Sequence, residues 1–342
     1  MSLIATAIGG VERLPIPDRV TRAGIAFLVG QTRRKLVDVD PALERRFAVD
    51  MAEHPIAVHT GEANAQHYEV PAEFFALVLG PRKKYSCCLY GEGAETLAQA
   101  EERALAETMA HADLADGQRI LELGCGWGSL SLTMAERFPN ARITAVSNSL
   151  SQRAFIEGEA SRRGLRNLHV VTADMNAYRP EQTFDRVVSV EMFEHMANWQ
   201  ALLARIRTWL TPGGRLFVHV FSHRAAPYRF DHRDKTDWIA RHFFTGGIMP
   251  SHGLIRVFDA FSVEAEWRWN GRHYQRTAED WLKRFDAARE RIDPILADVY
   301  GPDAALWGRR WRLFFLATAG LFGHADGDEW GVSHYRLKPT GW

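Results

Sequence analysis

Cysteine, net charge and long apolar segments are all scarce in this sequence. The 342 residues include three cysteines, Cys87, Cys88 and Cys125, and this spacing does not fit a metal-ligand motif. Basic and acidic residues balance at 42 each, so no overall charge attracts the chain to nucleic acid or to an anionic membrane. The apolar run over residues 313–322 is half of what a membrane-spanning helix needs, which is about 20 residues.

These scarcities exclude several classes of protein. The first residues, MSLIATAIGG, contain neither a basic leader nor a long apolar segment, so no signal peptide is expected. Cysteines without a pairing pattern are typical of a reducing compartment. We therefore expect a cytoplasmic protein with no metal site, no nucleic-acid partner and no stable membrane insertion.

The strongest local pattern is ILELGCGWG at residues 120–128. An apolar segment predicts a buried strand, the glycines predict a tight turn, and a periodic stretch over 129–138 then predicts a helix. Glycine at alternate positions, including Gly124 and Gly126, lets backbone N–H groups approach a ligand. Glu122 would repel a pyrophosphate but could hold the α-ammonium of a methionine-like group. The pattern predicts a nucleotide-type cofactor site, with a plain strand-turn-helix as the alternative.

Apolar strands and helices alternate after this motif, which predicts an α/β fold with a doubly wound, mainly parallel sheet and helices on both faces. Helical periodicity before it predicts an N-terminal helical cap over residues 1–66. An aromatic- and histidine-rich stretch at about 224–253 predicts a lid insertion. Thr277 predicts the cap of a helix that runs through Trp281 to Ile295. The aromatic C-terminal helices leave open a homodimer face or a simple core role.

Ligands bind at the carboxyl ends of strands in such sheets, so the residues that end each predicted strand are candidates for a site. The second strand ends at Ser147 and Asn148, and Gln152 follows one turn later. This set could bind ribose, with simple helix capping by Ser149 or Ser151 as the alternative. The third ends at Asp174 and Met175, which could accept an adenine amino group and pack on the ring, or form a solvent-facing turn.

The fourth predicted strand ends in the densest group of ionisable residues, Glu191, Glu194 and His195. Two carboxylates and an imidazole are costly to bury unless they are paired or used, so they could bind a cation or accept a proton. A salt-bridge cluster is the alternative. His219 in the fifth strand could face the same cavity or be a core histidine.

Nine ordered motifs over residues 67–338 resemble the cyclopropane-fatty-acid synthase superfamily of class I S-adenosylmethionine-dependent methyltransferases. They are HYEVPAEFF, KYSCCLY, LELGCGWG, NSLSQ, EMFEHM, PGGRLFVHVFSH, GGIMPSHG, HYQRTAEDWL and EWGVSHYRLKP. Three of them, NSLSQ, EMFEHM and EWGVSHYRLKP, are most similar to the coclaurine N-methyltransferase-like branch, which methylates small amines. The resemblance implies a Rossmann-like methyltransferase domain over 67–342.

The resemblance also implies roles for individual residues. Tyr85 and Ser86 would lie near the methionine carboxylate of the cofactor. The remaining cofactor residues would be Gly124 and Gly126 along its length, Gln152 near the ribose, and Asp174 and Met175 at adenine. Lipid-modifying members hold bicarbonate with a set that corresponds to Cys87, Glu194, His219 and Tyr274, whereas amine-methylating members use one that corresponds to Glu191, Glu194 and His195.

Glu191 separates the two substrate classes, because lipid-modifying members usually have a small residue there. A carboxylate beside the transferred methyl suits an amine and would polarise a slot meant for an acyl chain. The sequence therefore favours a small amine acceptor. Because Tyr274 keeps the bicarbonate set intact, transfer to an unsaturated lipid chain remains the alternative. A non-catalytic cofactor-binding module is disfavoured because it gives the acids of the fourth strand no use.

Overall fold

A computed structural model of the chain describes residues 10, 12, 14, 16–37, 39–58, 70–93, 95–234 and 236–341. The first residues of the HYEVPAEFF motif and the predicted domain boundary at residue 66 lie outside these ranges. In the described part, the strands are β1 (Arg119–Leu123), β2 (Arg142–Ser147), β3 (Leu168–Thr172), β4 (Phe184–Val190), β5 (Leu210–His223), β6 (Tyr228–Arg229), β7 (Ile248–Met249), β8 (Phe261–Asn270) and β9 (Trp330–Pro339).

Seven of these strands form one sheet in the order β3-β2-β1-β4-β5-β9-β8. The strands β1 to β5 run parallel to one another, and β9 pairs antiparallel with both β5 and β8. The predicted mainly parallel sheet is thereby confirmed. Because β1 and β4 are adjacent at the centre, the glycine turn after β1 and the acidic segment after β4 meet at one edge.

The helices are α1 (Asp18–Lys35), α2 (Leu43–Ala52), α3 (Ala72–Val78), α4 (Leu97–His111), α5 (Ser129–Arg137), α6 (Leu150–Arg162), α7 (Trp199–Thr208), α8 (Trp238–His242), α9 (Arg272–Ala287), α10 (Arg289–Tyr300) and α11 (Ala304–Phe322). Side-chain caps fix several starts, as expected for strand-to-helix turns. Thr96 and Gln99 form a capping box on α4, and Ser149 and Asn198 cap α6 and α7.

One helix boundary predicted from the sequence is wrong. The pattern indicates that Thr277 caps a helix that continues to residue 295, but α9 already begins at Arg272 and a break at Ala288 separates it from α10. Thr277 is buried inside α9, where its hydroxyl donates to the His273 carbonyl and accepts from Cys88 N, at 2.7 and 3.1 Å. A threonine can bond a preceding carbonyl within a helix, and this alternative use defeats the capping signal.

The N-terminal segment packs on the rest of the fold through several contacts. Arg312 of α11 makes two hydrogen bonds with Asp18 of α1, at 2.6 and 2.9 Å. The Ile56 carbonyl accepts from Ala197 N at 2.7 Å, just after the acidic segment that follows β4. Residues 55–58 therefore approach the carboxyl edge of the sheet. Within the described residues, no helix is both long and apolar enough to cross a membrane.

Candidate active site

Two cavities open at the carboxyl edge of the parallel strands. The larger has an empty volume of about 1290 Å³ and the smaller one of about 820 Å³, each including its open mouth. Their linings share Gly124, Gly126, Gln152, Glu191 and His195. The two cavities are therefore parts of one site, and Glu191 lies where they meet.

The turn after β1 forms the floor of this junction. Gly124 has φ +78°, and a Cβ there would come within 2.6 Å of Met192 Cγ. Gly128, the residue before α5, also has φ +78°, and its Cβ would meet Ile156 at 2.7 Å. A side chain at either position would therefore be strained and would clash. The close packing explains why the ILELGCGWG motif needs glycine at these points.

Glu122 is a buried carboxyl with no basic hydrogen-bond partner in the part of the chain that the structure describes. It lies in β1, lines the larger cavity and accepts a hydrogen bond from Ser131 of α5. Burial raises its pKa to about 8, although the Ser131 hydroxyl opposes this shift. An ammonium group in the cavity would favour the ionised carboxylate. Glu122 therefore fits the predicted α-ammonium contact.

The segment before α4 brings a lysine into the larger cavity beside Tyr85 and Ser86. Lys84 is buried, and its Nζ donates to Ser86 Oγ and, at 2.6 Å, to the Cys87 carbonyl. Buried Glu101 accepts from Lys84 N at 3.2 Å and so fixes the backbone of this segment. Sequence reasoning missed Lys84, although it is the first residue of the KYSCCLY motif, which was a usable signal.

The smaller cavity collects the polar ends of β2 and β3, with Ser147, Asn148, Gln152, Asp174 and Met175 in its lining. Ser147 Oγ donates to Gln152 Oε1 at 2.6 Å, and the Gln152 backbone N–H donates to Ser149 Oγ at 3.3 Å. The capping interpretation holds for Ser149, which caps α6, whereas Ser147 and Gln152 line the cavity and their ribose role stays a prediction. Hydroxyl, amide and carboxylate groups beside a thioether suit a nucleoside.

Glu191 has an unusual backbone, and its carboxylate has two hydrogen-bond donors and a histidine contact. Its φ of +47° lies in the left-handed region, which is strained for a non-glycine residue and turns the chain sharply after β4. Cys87 N donates to Oε1 at 2.9 Å, and Tyr274 OH donates to Oε2 at 2.7 Å. His219 Nε2 lies 3.2 Å from Oε1. These contacts hold the carboxylate in one orientation.

The acids Glu191 and Glu194 differ in their surroundings. Burial raises the pKa of Glu191, and Lys84 together with the donors Cys87 N and Tyr274 OH opposes that shift. Burial and the charge of Glu191 hold the pKa of Glu194 well above its ordinary value. Within the described residues, Glu194 Oε2 has no hydrogen-bond partner. The arrangement favours one ionised carboxylate at Glu191 and one neutral carboxyl at Glu194.

Aromatic side chains form much of the wall of the larger cavity. His195 packs against Phe244, with ring centroids 4.3 Å apart. The other large apolar and aromatic residues of this wall are Phe221, Phe230, Ile239, Met249, Trp281, Phe314, Leu321 and Phe322. Residues of the predicted lid and of α11 thus line the cavity, whereas the sequence left α11 open as a dimer face or core.

The predicted site residues converge in one place. All of them line one or both cavities except Cys87 and His219. These two lie outside both linings and contact the Glu191 carboxylate. Cys87 reaches Glu191 through its backbone N–H, while its thiol lies 3.3 Å from the Cys88 carbonyl. Across the described part of the chain, no group of His, Cys, Asp and Glu side chains is arranged to hold a metal ion.

Comparison with known proteins identifies one family. The family model described as "Mycolic acid cyclopropane synthetase" matches residues 58–326. The chain is 38% identical to (S)-coclaurine N-methyltransferase from Thalictrum flavum subsp. glaucum over 289 residues, 83% of this chain and 80% of that protein. It is 29% identical to the cyclopropane-fatty-acyl-phospholipid synthase of Escherichia coli K12 over 81% of this chain and 68% of that protein.

Solved structures give the same grouping. A coclaurine N-methyltransferase bound to N-methylheliamine and SAH superposes with a TM-score of 0.94 at 33% identity, covering 98% of this chain and all of that one. The cyclopropane synthase MmaA2 from Mycobacterium tuberculosis superposes with a TM-score of 0.68 at 21% identity, covering 82% of this chain and 98% of that one, which supports the fold alone.

Proposed function

Since the chain belongs to the mycolic acid cyclopropane synthetase family, we propose that it transfers a methyl group from S-adenosylmethionine to the nitrogen of a small amine. Its class, an S-adenosylmethionine-dependent methyltransferase, is shared with N-methyltransferase relatives at 30–38% identity. The proposal adds the chemical nature of the methyl acceptor, a small amine.

The observation that carries the proposal is the position of the Glu191 carboxylate at the junction of the two cavities. Two donors and the contact with His219 Nε2 orient it, and the larger cavity continues from it into an aromatic wall. Methyl transfer to an amine nitrogen creates a cationic ammonium that must lose a proton. A fixed carboxylate at the junction can stabilise that charge and accept the proton.

The cofactor supplies an electrophilic methyl group on a sulfonium. The residues of the chain would bind and orient it. Glu122 would hold the α-ammonium, because it is a buried carboxyl that lines the larger cavity and accepts its side-chain hydrogen bond from the neutral Ser131 hydroxyl. The hydroxyl, amide and carboxylate groups of the smaller cavity would hold the nucleoside. This division would place the reacting centre between the cavities, beside Glu191 and His195.

The acceptor would occupy the larger cavity. Glu191 would take the proton from nitrogen, and the neutral carboxyl of Glu194 could donate its own hydrogen bond through Oε2, which has no hydrogen-bond partner among the described residues. His195, held against Phe244, would orient the amine from the other side. Aromatic walls exclude water and align the reacting groups. Such alignment lowers the activation free energy by on the order of 7 kcal/mol in favourable cases.

An unsaturated lipid chain is the second candidate acceptor, favoured by the apolar wall of the larger cavity. It is disfavoured by the surroundings of Glu191. Three members of the set that the resemblance assigns to bicarbonate, Cys87, His219 and Tyr274, make their hydrogen bonds with the Glu191 carboxylate. A bicarbonate at that point would lie against a second negative charge, which is repulsive at low dielectric.

We also propose a cytoplasmic location, supported by three buried cysteines that are all free of disulfides. A homodimer stays an untested prediction. Its sequence argument is weakened, because aromatic residues of α11 line the cavity.

An acceptor screen with methyl-labelled S-adenosylmethionine tests the amine proposal. The purified chain would be incubated in parallel with a panel of aromatic and cyclic secondary amines and with vesicles of unsaturated phospholipid. Mass spectrometry should find the label on an amine nitrogen and leave the acyl chains unchanged. Label found only on acyl chains would overturn the amine proposal in favour of the lipid candidate.

A further inference from the structure

A row of three histidines leads away from Glu191 through the fold. His219 Nδ1 lies 2.8 Å from His334 Nε2, and His334 Nδ1 lies 2.9 Å from His111 Nδ1. At the far end, His111 Nε2 lies 3.6 Å from a carboxylate oxygen of Glu107, which is 44% exposed. The rings belong to β5, β9 and α4. The row therefore connects Glu191 in the active site to the protein surface at Glu107 of α4.

The inner rings of this row, His219 and His334, are fully buried. Burial holds the pKa of each well below its ordinary value, and burial also lowers the pKa of His111. All three are therefore neutral near pH 7. A neutral imidazole has one N–H and one acceptor nitrogen, so each nitrogen–nitrogen contact must contain one proton.

This restriction couples the rings to one another. If His219 donates to Glu191, its Nδ1 must accept from His334 Nε2, and His334 Nδ1 must then accept from His111. In the opposite arrangement the N–H of each ring points away from Glu191 towards the surface. His219 Nε2 is then an acceptor, and a protonated Glu191 must donate to it. The row has therefore two complete states, each matched to one charge state of Glu191.

The groups at the inner end of the row favour the state in which every N–H points towards Glu191, whereas Glu107, whose carboxylate faces His111 Nε2 at the exposed end, favours the opposite state. Cys87 N and Tyr274 OH already donate to that carboxylate. Stacking on Trp267, with ring centroids 3.8 Å apart, holds His111 in place. The titratable and charged groups near the row are Lys84, Glu191, Glu194, Tyr274, Glu107 and Arg336.

We propose that His334 is a positioning residue for methyl transfer, because it fixes His219 in the tautomer whose Nε2–H faces Glu191. His111 fixes His334 in the same way. The inference rests on the proposed role of Glu191 as the acceptor of the amine proton. Without the His334 contact, His219 can carry its proton on Nδ1, and its bare Nε2 then favours a protonated Glu191.

Two substitutions at His334 separate positioning from simple packing. His334→Gln retains one amide N–H for His219 Nδ1 and one amide oxygen for His111. His334→Leu has a similar bulk and offers neither group. His111→Phe, which keeps an aromatic ring against Trp267, breaks the row one step further out and serves if His334→Leu does not fold.

The first readout is the tautomer of His219, measured by nitrogen NMR on protein labelled with ¹⁵N-histidine, with the spectrum of a His219→Gln variant used to assign its signals. It needs no acceptor, so it is independent of the proposed function. We expect His219 to carry its proton on Nε2 in the parent and in His334→Gln, and to lose this preference in His334→Leu. An Nδ1–H tautomer in the parent, or no change in His334→Leu, would overturn the inference.

The second readout is the pH profile of kcat with an accepted amine. Losing a charge-assisted hydrogen bond should raise the pKa of Glu191, so the acid limb of His334→Leu should move up by about one pH unit, while that of His334→Gln stays in place. Equal losses in both variants with unmoved limbs would mean that His334 only packs. Absence of any amine product, with the tautomer result intact, would count against the proposed function alone.

Discussion

Glu122 lines the cavity and is a buried carboxyl with a raised pKa, so its protonation should affect the stability of the ligand-free fold. Its pKa is about 8 in the folded chain, whereas that of an ordinary glutamate is 4.5. Between pH 4.5 and pH 8 the folded state therefore keeps a proton on Glu122 that the unfolded state has lost. The stability that this proton contributes is complete below about pH 4.5 and disappears as the pH rises through 8. The ligand-free protein should therefore lose stability over this window because of Glu122.

The substitution Glu122→Gln removes that dependence. We expect the parent to become less stable relative to Glu122→Gln as the pH rises from 5 to 8, by up to roughly 1 kcal/mol per pH unit. The measurement is the difference in urea unfolding free energy between the two proteins at several pH values. Exposed Glu157→Gln in α6 should show no such trend. A constant difference across the window would mean that Glu122 is already ionised in the folded chain.

At the scale of elements, the turn between β1 and α5 should be intolerant of any side chain. Gly124→Ala would combine a left-handed φ with a Cβ placed 2.6 Å from Met192 Cγ. Relief of this clash would displace the chain at the junction of the cavities. We expect Gly124→Ala to weaken S-adenosylmethionine binding at least about tenfold, a loss of about 1.4 kcal/mol, measured by calorimetry.

Gly158 provides the matched control, since it lies inside α6 and an added Cβ would meet nothing within 4 Å. Gly158→Ala should stabilise the fold by about 0.5–1 kcal/mol and leave cofactor affinity unchanged. Equal cofactor affinity in Gly124→Ala and Gly158→Ala would show that the turn does not shape the binding site.

The elements at the sheet edge could be predicted from the sequence because their signals are local. Apolar strands ending in polar residues locate Ser147, Asp174 and Glu191, and parallel pairing then brings strand ends to one edge. The start of α9 was mispredicted because Thr277 bonds within its own helix, a use that the capping pattern does not distinguish.

Features that depend on the whole molecule could not be predicted in this way. The histidine row joins residues that are 115 and 223 positions apart in the chain, and no motif connects them. The same applies to α11, whose apolar periodicity fits a core helix, a dimer face or a cavity wall equally well. The packing of distant segments decides among these.

The substitution Glu191→Gln tests most directly whether the junction carboxylate serves amine methylation. Gln is nearly isosteric, so the fold and the cofactor site should persist, but it cannot take the proton from nitrogen. With an accepted amine, we predict that kcat falls at least about 100-fold while the dissociation constant of S-adenosylmethionine stays within about threefold. A variant that retains the parent kcat would contradict the account.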